Sequence, residues 1–288
     1  MKGTTRKALS KAVSLALAVL LTLPLLLGLG GCSTKDDNGG GSGSADLVTI
    51  KVGASVTPHA EILANLKEDM AAQGFDLQII EYTDYVKPNM DTDAGDTDAN
   101  FFQHQPYLDE FNTENGLNLV SVAAVHFEPL GIYAGKTTSL ANLPNGASIA
   151  VPNDPTNEAR ALHLLAAQNL ITLPAGAGLD ITPRDIIDNP KNLKIIEVEA
   201  AAVPRQLAEV DLGVINGNVA LSAGLDPSKV LVTEDPDSTA AQTYANILVV
   251  KAGNENNPAI KALVSLLHSE KTRTFINEKY PGVVIPVF

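Results

Sequence analysis

The sequence predicts an α/β protein in which helices cover mostly parallel sheets. Segments with the alternating pattern of a strand are followed by segments whose apolar residues recur at helical spacing. Polar and aromatic residues gather at several strand ends, which is where open α/β sheets bind ligands. The 288 residues, 45% of them hydrophobic and 18% charged, allow one large domain or two smaller ones.

The predicted elements follow one another from residue 47 onward. Segment 47–52 alternates like a strand, and the helix predicted over 60–73 places Ile62, Leu66 and Met70 on one face. Such alternation is typical of parallel strands joined by helical crossovers. Further strands are predicted at 77–82, 119–124, 148–151, 194–198, 212–215 and 247–250, and further helices at 106–114, 156–171, 183–188, 204–210 and 258–278.

The first 31 residues have the pattern of an export signal peptide. Basic residues without any acidic one precede an apolar run over 12–29. The run ends in Gly30, Gly31 and Cys32, which resembles the lipobox of bacterial lipoproteins, in which the cysteine is lipidated and becomes the N-terminus. The alternative is a retained transmembrane helix, but so short a run, broken by Pro24, barely spans about 30 Å of hydrocarbon.

Cys32 is the only cysteine, which excludes an internal disulfide and a zinc site built from several thiolates. Residues 33–45 are rich in Gly and Ser and predict a flexible tether. We therefore expect a folded part that begins near Asp46 and is lipid-anchored through Cys32 at the outer face of the cell membrane.

The chain is acidic, with a formal net charge of -13. Without residues 1–31 it has 16 basic and 33 acidic side chains, a net charge of -17. Such a charge repels phosphate backbones, so nucleic acid is not expected as a partner.

The first candidate site motif is DANFFQHQPYLD at 98–109. Pro106 suits the first turn of a helix, and the spacing of Phe102, His104 and Tyr107 could direct all three side chains into one cavity. The alternative is an aromatic core edge with a hydrogen-bonded histidine. Aromatic residues are only 5% of the chain and Trp is absent, so a cluster here points to a site.

The second motif, VPNDPTNEAR at 151–160, predicts a strong helix start with Asp154 as N-cap and Pro155 after it. Asn157 and Arg160 share a face of its opening turn. Free N–H groups and a guanidinium together suit a ligand carboxylate. The alternative is a surface arginine paired with an acid such as Glu158 or Asp154.

Two amides lie at the ends of apolar strands. Asn216 follows 212–215 and Asn246 precedes 247–250, so each could bond an ammonium or a carboxylate, although capping of a turn is the common role of asparagine there. The motifs of serine hydrolases, zinc proteases and phosphate-binding loops are absent from the sequence. We therefore expect a binding protein that is not an enzyme and uses no cofactor.

Several strings, in order along the folded part, resemble the MetQ/NlpA family of methionine-binding lipoproteins. The resemblance implies a two-lobed, periplasmic-binding-protein-like (type II) fold with a ligand cleft between the lobes. The matching strings are TDYVKPN at 83–89, DANFFQHQPYLD at 98–109, VPNDPTNEARAL at 151–162, NPKNLKIIEVEA at 189–200, PRQL at 204–207 and VIN at 214–216.

Residue roles follow from the same resemblance. One set matches the residues that surround the methionine side chain, and a second set matches those that hold its backbone groups. The first set is Tyr85, Phe102, His104 and Tyr107, and the second is Asn157, Arg160, Asn216 and Asn246. Phe127 is expected as a further wall, with Glu128 as a weaker candidate.

The implied function is capture of methionine, of a close derivative or of a methionine-containing dipeptide for an ABC importer with permease and ATPase subunits. We expect residues 46–142 with 245–288 to form lobe 1 and residues 143–244 to form lobe 2, with crossovers near 141–146 and 240–246. The alternative is a metal-binding protein of the same architecture that uses His59, His104 and His126, with Glu128 as an oxygen ligand.

Overall fold

The structure is a computed structural model that describes residues 46–226, 230–237 and 240–288. The predicted signal peptide, Cys32 and the tether lie outside these residues. Within them, strands form two sheets and helices cover both, as expected for an α/β protein. None of the described helices is long and apolar enough to cross a membrane.

The first sheet has six strands, β1 (Val48–Ser55), β2 (Phe75–Tyr82), β3 (Ala99–His104), β4 (Leu119–Phe127), β10 (Asn246–Lys251) and β11 (Ile285–Pro286). They lie in the order β11-β4-β10-β3-β1-β2. β2 and β3 are parallel to β1, whereas β10 is antiparallel to both β3 and β4. β11 is antiparallel to β4 at the edge.

The second sheet has five strands, β5 (Gly131–Ala134), β6 (Ser148–Pro152), β7 (Lys194–Val198), β8 (Leu212–Ile215) and β9 (Val230–Thr233). They lie in the order β7-β6-β8-β5-β9. β6 is parallel to β7 and β8, and β5 is antiparallel to β8 and β9. The expectation of mostly parallel sheets is therefore wrong, because the strands next to each crossover between the sheets run antiparallel to their neighbours.

The helices of the first lobe are α1 (Glu61–Ala64), α2 (Lys67–Ala72), α3 (Lys87–Ala94), α4 (Gln105–Asn115), α9 (Pro258–Leu267) and α10 (Glu270–Lys279). Those near the second sheet are α5 (Pro155–Ala167), α6 (Val203–Gln206), α7 (Gly217–Ser222) and α8 (Ala240–Thr243). The single helix predicted over 258–278 is two helices, because Ser269 caps α10 with its side chain, which accepts a bond from the Thr272 N–H.

Over the residues that the structure describes, the chain passes between the sheets twice. It leaves the first sheet at the end of β4 and enters the second at Gly131, and it returns between Thr233 and Asn246. The first crossover was expected near 141–146, but it lies at 128–130, because β5 pairs with β8 and β9. Residues 131–142, expected in lobe 1, therefore belong to the second lobe.

Each sheet has its own apolar core. Ile62, Leu63 and Leu66 pack with Leu263 and Ile276 against the first sheet. In the second lobe, Leu162 and Leu165 of α5 pack against strands β6 and β8. Two separate cores allow the lobes to move as units, and they leave the strand ends that carry polar residues facing each other across the cleft.

Candidate ligand-binding site

The first-lobe wall of the site is a group of aromatic side chains from the loop before α3, from β3 and from the start of α4. The rings of Tyr85, Phe102 and Tyr107 have centroids 5.8 to 6.0 Å apart. Tyr107 donates its hydroxyl to the Tyr85 carbonyl oxygen at 2.9 Å, which fixes the loop before α3. The rings of Phe102 and Tyr107, expected together from their spacing, thus lie beside the ring of Tyr85, which was expected here from the family resemblance.

His104 is the N-cap of α4, and its Nδ1 accepts a bond from the Tyr107 N–H at 3.2 Å. Burial, assisted by the positive charge of Arg160, lowers the pKa of His104 to about 3. The ring is therefore neutral and carries its proton on Nε2, which lies 3.1 Å from Asn157 Oδ1 on the opposite lobe. His104 thus joins the two walls.

The second-lobe wall starts at the N-terminus of α5. Asp154 caps this helix, and its carboxylate accepts bonds from the backbone N–H and from Nδ2 of Asn157 at 3.1 and 2.8 Å. This orients the Asn157 amide, so that Oδ1 accepts from His104 and from Nδ2 of Asn216 at 2.8 Å. Asn216 Oδ1 is buried without a hydrogen-bond partner among the described atoms.

Arg160 is buried, with 3% of its surface exposed. It pairs with Glu234, whereas the alternative considered from the sequence was a pair with Glu158 or Asp154. Nε and Nη2 bond the two Glu234 carboxylate oxygens at 2.7 and 2.5 Å, and Nη2 also bonds the Glu128 carbonyl oxygen at 2.9 Å. The guanidinium lies over the Tyr244 ring, 4.2 Å from its centroid. The two parallel bonds that a guanidinium can offer to a ligand carboxylate are thus made with Glu234 in this structure.

A buried cluster of His59, His126 and Glu128 lies beneath the cavity. The Nε2 atom of His126 is 2.7 Å from Glu128 Oε1, and the Nε2 atom of His59 is 3.5 Å from the same oxygen and 2.9 Å from Asn246 Oδ1. Burial lowers the pKa of His59 to about 4 and that of His126 to about 3, so both rings are neutral at neutral pH.

Eight of the nine predicted side chains meet around one cavity between the lobes. Phe127 does not line it, because its ring is fully buried with the Arg160 guanidinium 5.6 Å from its centroid. The lining also includes residues that sequence reasoning did not assign or held as weaker. The predicted members are Tyr85, Phe102, His104, Tyr107, Asn157, Arg160, Asn216 and Asn246, and the others are Gln103, Glu128, Gly217 and Asn218.

The cavity is narrow because the walls are bonded to each other. Tyr85 donates its hydroxyl to Asn218 Oδ1 at 2.7 Å, and Asn218 Nδ2 donates to Ser55 Oγ at 3.3 Å. The cavity has a free volume of about 20 Å³, which is roughly what one water molecule needs. An amino acid can therefore enter only if the lobes separate. A wider groove that Tyr85 and Asn218 also line has a volume of about 450 Å³.

Comparison with known proteins identifies the family. Residues 50–288 match the NlpA lipoprotein family. The chain is 41% identical over 272 residues to the membrane lipoprotein TpN32 of Treponema pallidum (strain Nichols). This alignment covers 94% of this chain and 96% of the relative. It is 40% identical over 255 residues to the methionine-binding lipoprotein MetQ of Bacillus subtilis (strain 168), covering 87% and 91% of the two chains.

The fold agrees with this similarity. A nutrient binding protein from Burkholderia cenocepacia, solved bound to methionine, superimposes with a TM-score of 0.79 at 43% identity, covering 83% of this chain and 100% of that one. The predicted two-lobed binding-protein fold is therefore confirmed, as is the resemblance stated from the sequence. By sequence over residues 50–288 and by fold, this chain belongs to the NlpA family of substrate-binding lipoproteins.

Proposed function

We propose that the protein captures methionine, or a close derivative or methionine-containing dipeptide, in the cavity between its lobes. The observation that carries this proposal is one buried cavity that combines an aromatic wall on one lobe with Arg160 on the other. It is supported by the methionine bound to the Burkholderia cenocepacia relative and by the name of the Bacillus subtilis relative.

The aromatic wall suits the thioether end of the ligand. Tyr85, Phe102 and Tyr107 enclose one side of the cavity, and sulfur against aromatic rings gains about 0.3 to 1.5 kcal/mol beyond burial. The neutral imidazole of His104 adds a polar edge to this wall without placing a charge against the thioether.

The opposite wall suits the charged end of an amino acid. The bonds of Arg160 to Glu234 and to the Glu128 carbonyl oxygen use Nε and Nη2, and we assign Nη1 to the ligand carboxylate. Asn157, Asn216 and Asn246 surround this end of the cavity with amide groups. Because Glu234 holds the guanidinium in place, little side-chain entropy is lost when a ligand binds.

In this proposal the protein acts at the outer face of the cell membrane, held there by lipid on Cys32, and passes its ligand to the permease of an ABC importer driven by ATPase subunits. Relatives are named membrane lipoproteins and methionine-binding lipoproteins, which supports the attachment. A solved structure at 40% sequence identity is named an ABC transporter, periplasmic substrate-binding protein from Coxiella burnetii, which supports the delivery.

The metal-binding alternative has one specific observation in its favour. His59, His126 and Glu128 offer ligand atoms that lie within 4.8 Å of one another, the one such group among the described residues, and His104 is not part of it. The 2.7 Å separation of His126 Nε2 from Glu128 Oε1 is a hydrogen-bond distance, whereas two ligands at about 2.0 to 2.1 Å from one tetrahedral zinc ion lie roughly 3.3 Å apart. The cluster therefore fits a hydrogen-bond network better.

A thermal-shift panel of the chain without residues 1–32 separates these functions. We expect methionine to raise the melting temperature in a concentration-dependent way, with other amino acids and Zn²⁺ at equal concentration raising it less. Methionine-containing dipeptides in the same panel distinguish the ligand variants. A shift with Zn²⁺ and none with methionine would contradict the proposal.

A further inference from the structure

The groove next to the ligand cavity is lined by residues from both lobes. The first lobe contributes the ends of β1 and β2, with Ser55 and Tyr82, and the second lobe contributes residues of α6 and α7, with Arg205 and Val219. Its volume is about 450 Å³, against about 20 Å³ for the cavity. The groove therefore has room for a group of many atoms, whereas the closed cavity has room for one water molecule.

Two side chains separate the groove from the cavity, because Tyr85 and Asn218 line both. The Tyr85 hydroxyl of the first lobe donates to Asn218 Oδ1 of the second lobe at 2.7 Å, and Asn218 Nδ2 donates to Ser55 Oγ at 3.3 Å. Since the partition is made of side chains from opposite lobes, it opens whenever the lobes separate. A ligand that enters the open cleft can thus occupy the cavity and the groove together.

The strand order of the first sheet shows at which end of the cavity the groove lies. Starting from the strands that join the crossovers, the order is β4, β10, β3, β1 and β2. Arg160 bonds both crossovers, through the Glu128 carbonyl oxygen and the Glu234 carboxylate. Phe102 lies on β3, and the groove lies at β1 and β2. A ligand whose carboxylate is at Arg160 therefore extends its side chain toward the partition and the groove.

The lining of the groove is apolar on one side and carries one positive charge. Val219 and Leu225 pack with the Tyr85 ring in one apolar cluster. Arg205 is exposed, is the one charged residue of the described lining, and forms no ion pair with a described acidic side chain. Such a surface suits a group with an apolar body and a terminal anion.

We propose that the groove is a subsite for a substituent larger than methyl on the ligand sulfur. The protein then binds S-substituted homocysteines as well as methionine, with a preference for substituents that have an apolar body and a terminal carboxylate. The substituent passes between Tyr85 and Asn218 in place of their hydrogen bond. This inference rests on the proposed function, because the amino-acid end of the ligand stays in the cavity at Arg160.

Two opposing effects set the expected affinity. Loss of one neutral hydrogen bond between Tyr85 and Asn218 costs about 2- to 10-fold. Burial of a phenyl-sized group against Val219 and Leu225 gains about 10- to 100-fold when it is complete. The substituted ligand is therefore expected to bind about as tightly as methionine, whereas a cavity that ended at the partition would reject it.

The first test compares three ligands by calorimetry of the wild-type chain. These are methionine, S-(4-carboxybenzyl)homocysteine and its neutral analogue S-(4-carbamoylbenzyl)homocysteine. We expect the carboxybenzyl ligand to bind within about 10-fold of methionine, and about 2- to 5-fold more tightly than the carbamoyl analogue, since Arg205 is exposed to solvent. Binding of methionine without either substituted ligand would overturn this inference alone, and failure to bind methionine would overturn the proposed function.

The second test fills the groove without touching the cavity. Ala201→Trp and Ser222→Trp each place a large side chain in the groove, and neither residue lines the cavity. We expect each to weaken binding of the carboxybenzyl ligand at least about 10-fold and to change methionine affinity by less than about 2-fold. Ser265→Trp, on an exposed position of α9, is the matched control. If both groove variants affect the two ligands equally, the inference is wrong.

The third test concerns the charge. Arg205→Gln should abolish the preference for the carboxybenzyl ligand over its carbamoyl analogue while leaving methionine affinity unchanged, because only the substituent reaches this side chain. Arg184→Gln, which changes another exposed arginine, is the control. A preference that survives Arg205→Gln would place the substituent outside the groove and contradict the inference.

Discussion

Arg160 connects the two crossovers between the lobes at the scale of a single side chain. It bonds the Glu128 carbonyl oxygen in the first crossover and the Glu234 carboxylate in the second, and the Tyr244 ring of the second crossover covers it. The positive charge at the cavity is therefore held between the two segments that join the lobes.

The first prediction concerns this charge. Arg160→Ala should weaken methionine binding by about 30-fold to several thousand-fold, because a desolvated ligand carboxylate loses its cation. Calorimetry measures the change, with the exposed Arg184→Ala as control. Because Arg160→Ala also leaves the mostly buried Glu234 carboxylate without its cation, although it still accepts a bond from the Leu130 N–H, the double variant Arg160→Ala/Glu234→Ala checks that the loss does not come from unfolding. Wild-type affinity in that double variant would mean that the carboxylate binds elsewhere.

A second prediction concerns the aromatic wall. Phe102→Leu keeps an apolar side chain but removes the ring, so it should reduce the preference for methionine over norleucine by about 2- to 10-fold, given a sulfur–aromatic gain of about 0.3 to 1.5 kcal/mol. Phe111→Leu is the matched control, since Phe111 packs in the same aromatic cluster without lining the cavity. A preference that is the same in both variants would count against the role of Phe102.

At this scale, residues that belong to local motifs could be predicted and long-range partners could not. The strings around Phe102 and Arg160 carry capping and turn signals that place their side chains. Glu234 carries no such signal, because its role depends on a contact across 74 positions of sequence. Gly217 and Asn218 directly follow Asn216 and could have been included from their position at the start of a helix after a strand.

At the scale of elements, helix α5 combines a capped start with an acidic pair, in which Glu158 of the helix lies against Glu197 of β7. Glu158 lies in its first turn, is buried, and has an Oε1 without a hydrogen-bond partner among the described atoms. Burial first, and then the hydrogen bond and negative charge of Glu197 on β7, raise the pKa of the Glu158 carboxyl group above its usual 4.5.

The third prediction follows from the sign of this shift. A carboxyl group that holds its proton more tightly in the folded state stabilises that state at low pH, and the contribution is lost as the pH rises through the raised pKa. Glu158→Gln should therefore gain stability relative to wild type at pH 8 and gain little at pH 5. Melting temperatures at the two pH values check this, and an equal effect at both would contradict it.

Most strands and helices with a clear apolar pattern were predicted, whereas β3, β5 and β9 were not. Segment 47–52 and the strands near 148, 194 and 212 were recognised, because each combines apolar side chains with a flanking turn. β3 was interpreted only as a site motif, since all its residues are buried and it shows no alternation. β5 and β9 were not predicted, since neither is the wholly buried apolar run that made the equally short β8 recognisable, and their pairing moved the first crossover.

At the scale of the whole molecule, ligand capture requires the lobes to open and close. The described conformation has the walls joined through His104 to Asn157 and through Tyr85 to Asn218, with little space between them. A ligand that bonds both walls stabilises the closed form by as much as it binds that form better than the open one. Entry and release are thus coupled to breaking these interlobe bonds.

The fourth prediction concerns attachment to the membrane. If Cys32 carries the lipid, Cys32→Ala should move the full-length protein from the membrane fraction to the soluble or secreted fraction, because stable anchoring needs more than one membrane signal and the lipid supplies about 0.8 kcal/mol per buried methylene. Fractionation with immunodetection measures this. Recovery of the variant in the membrane fraction at an unchanged level would contradict it.

The most direct measurement of the central claim is a crystal structure of the chain without residues 1–32 grown with selenomethionine as the ligand. Selenium gives an anomalous signal that the natural sulfur atoms do not match. We predict one selenium peak among the rings of Tyr85, Phe102 and Tyr107, with the ligand carboxylate at Arg160. A selenium peak outside this cavity, or a ligand oriented with its carboxylate toward the aromatic wall, would contradict the account.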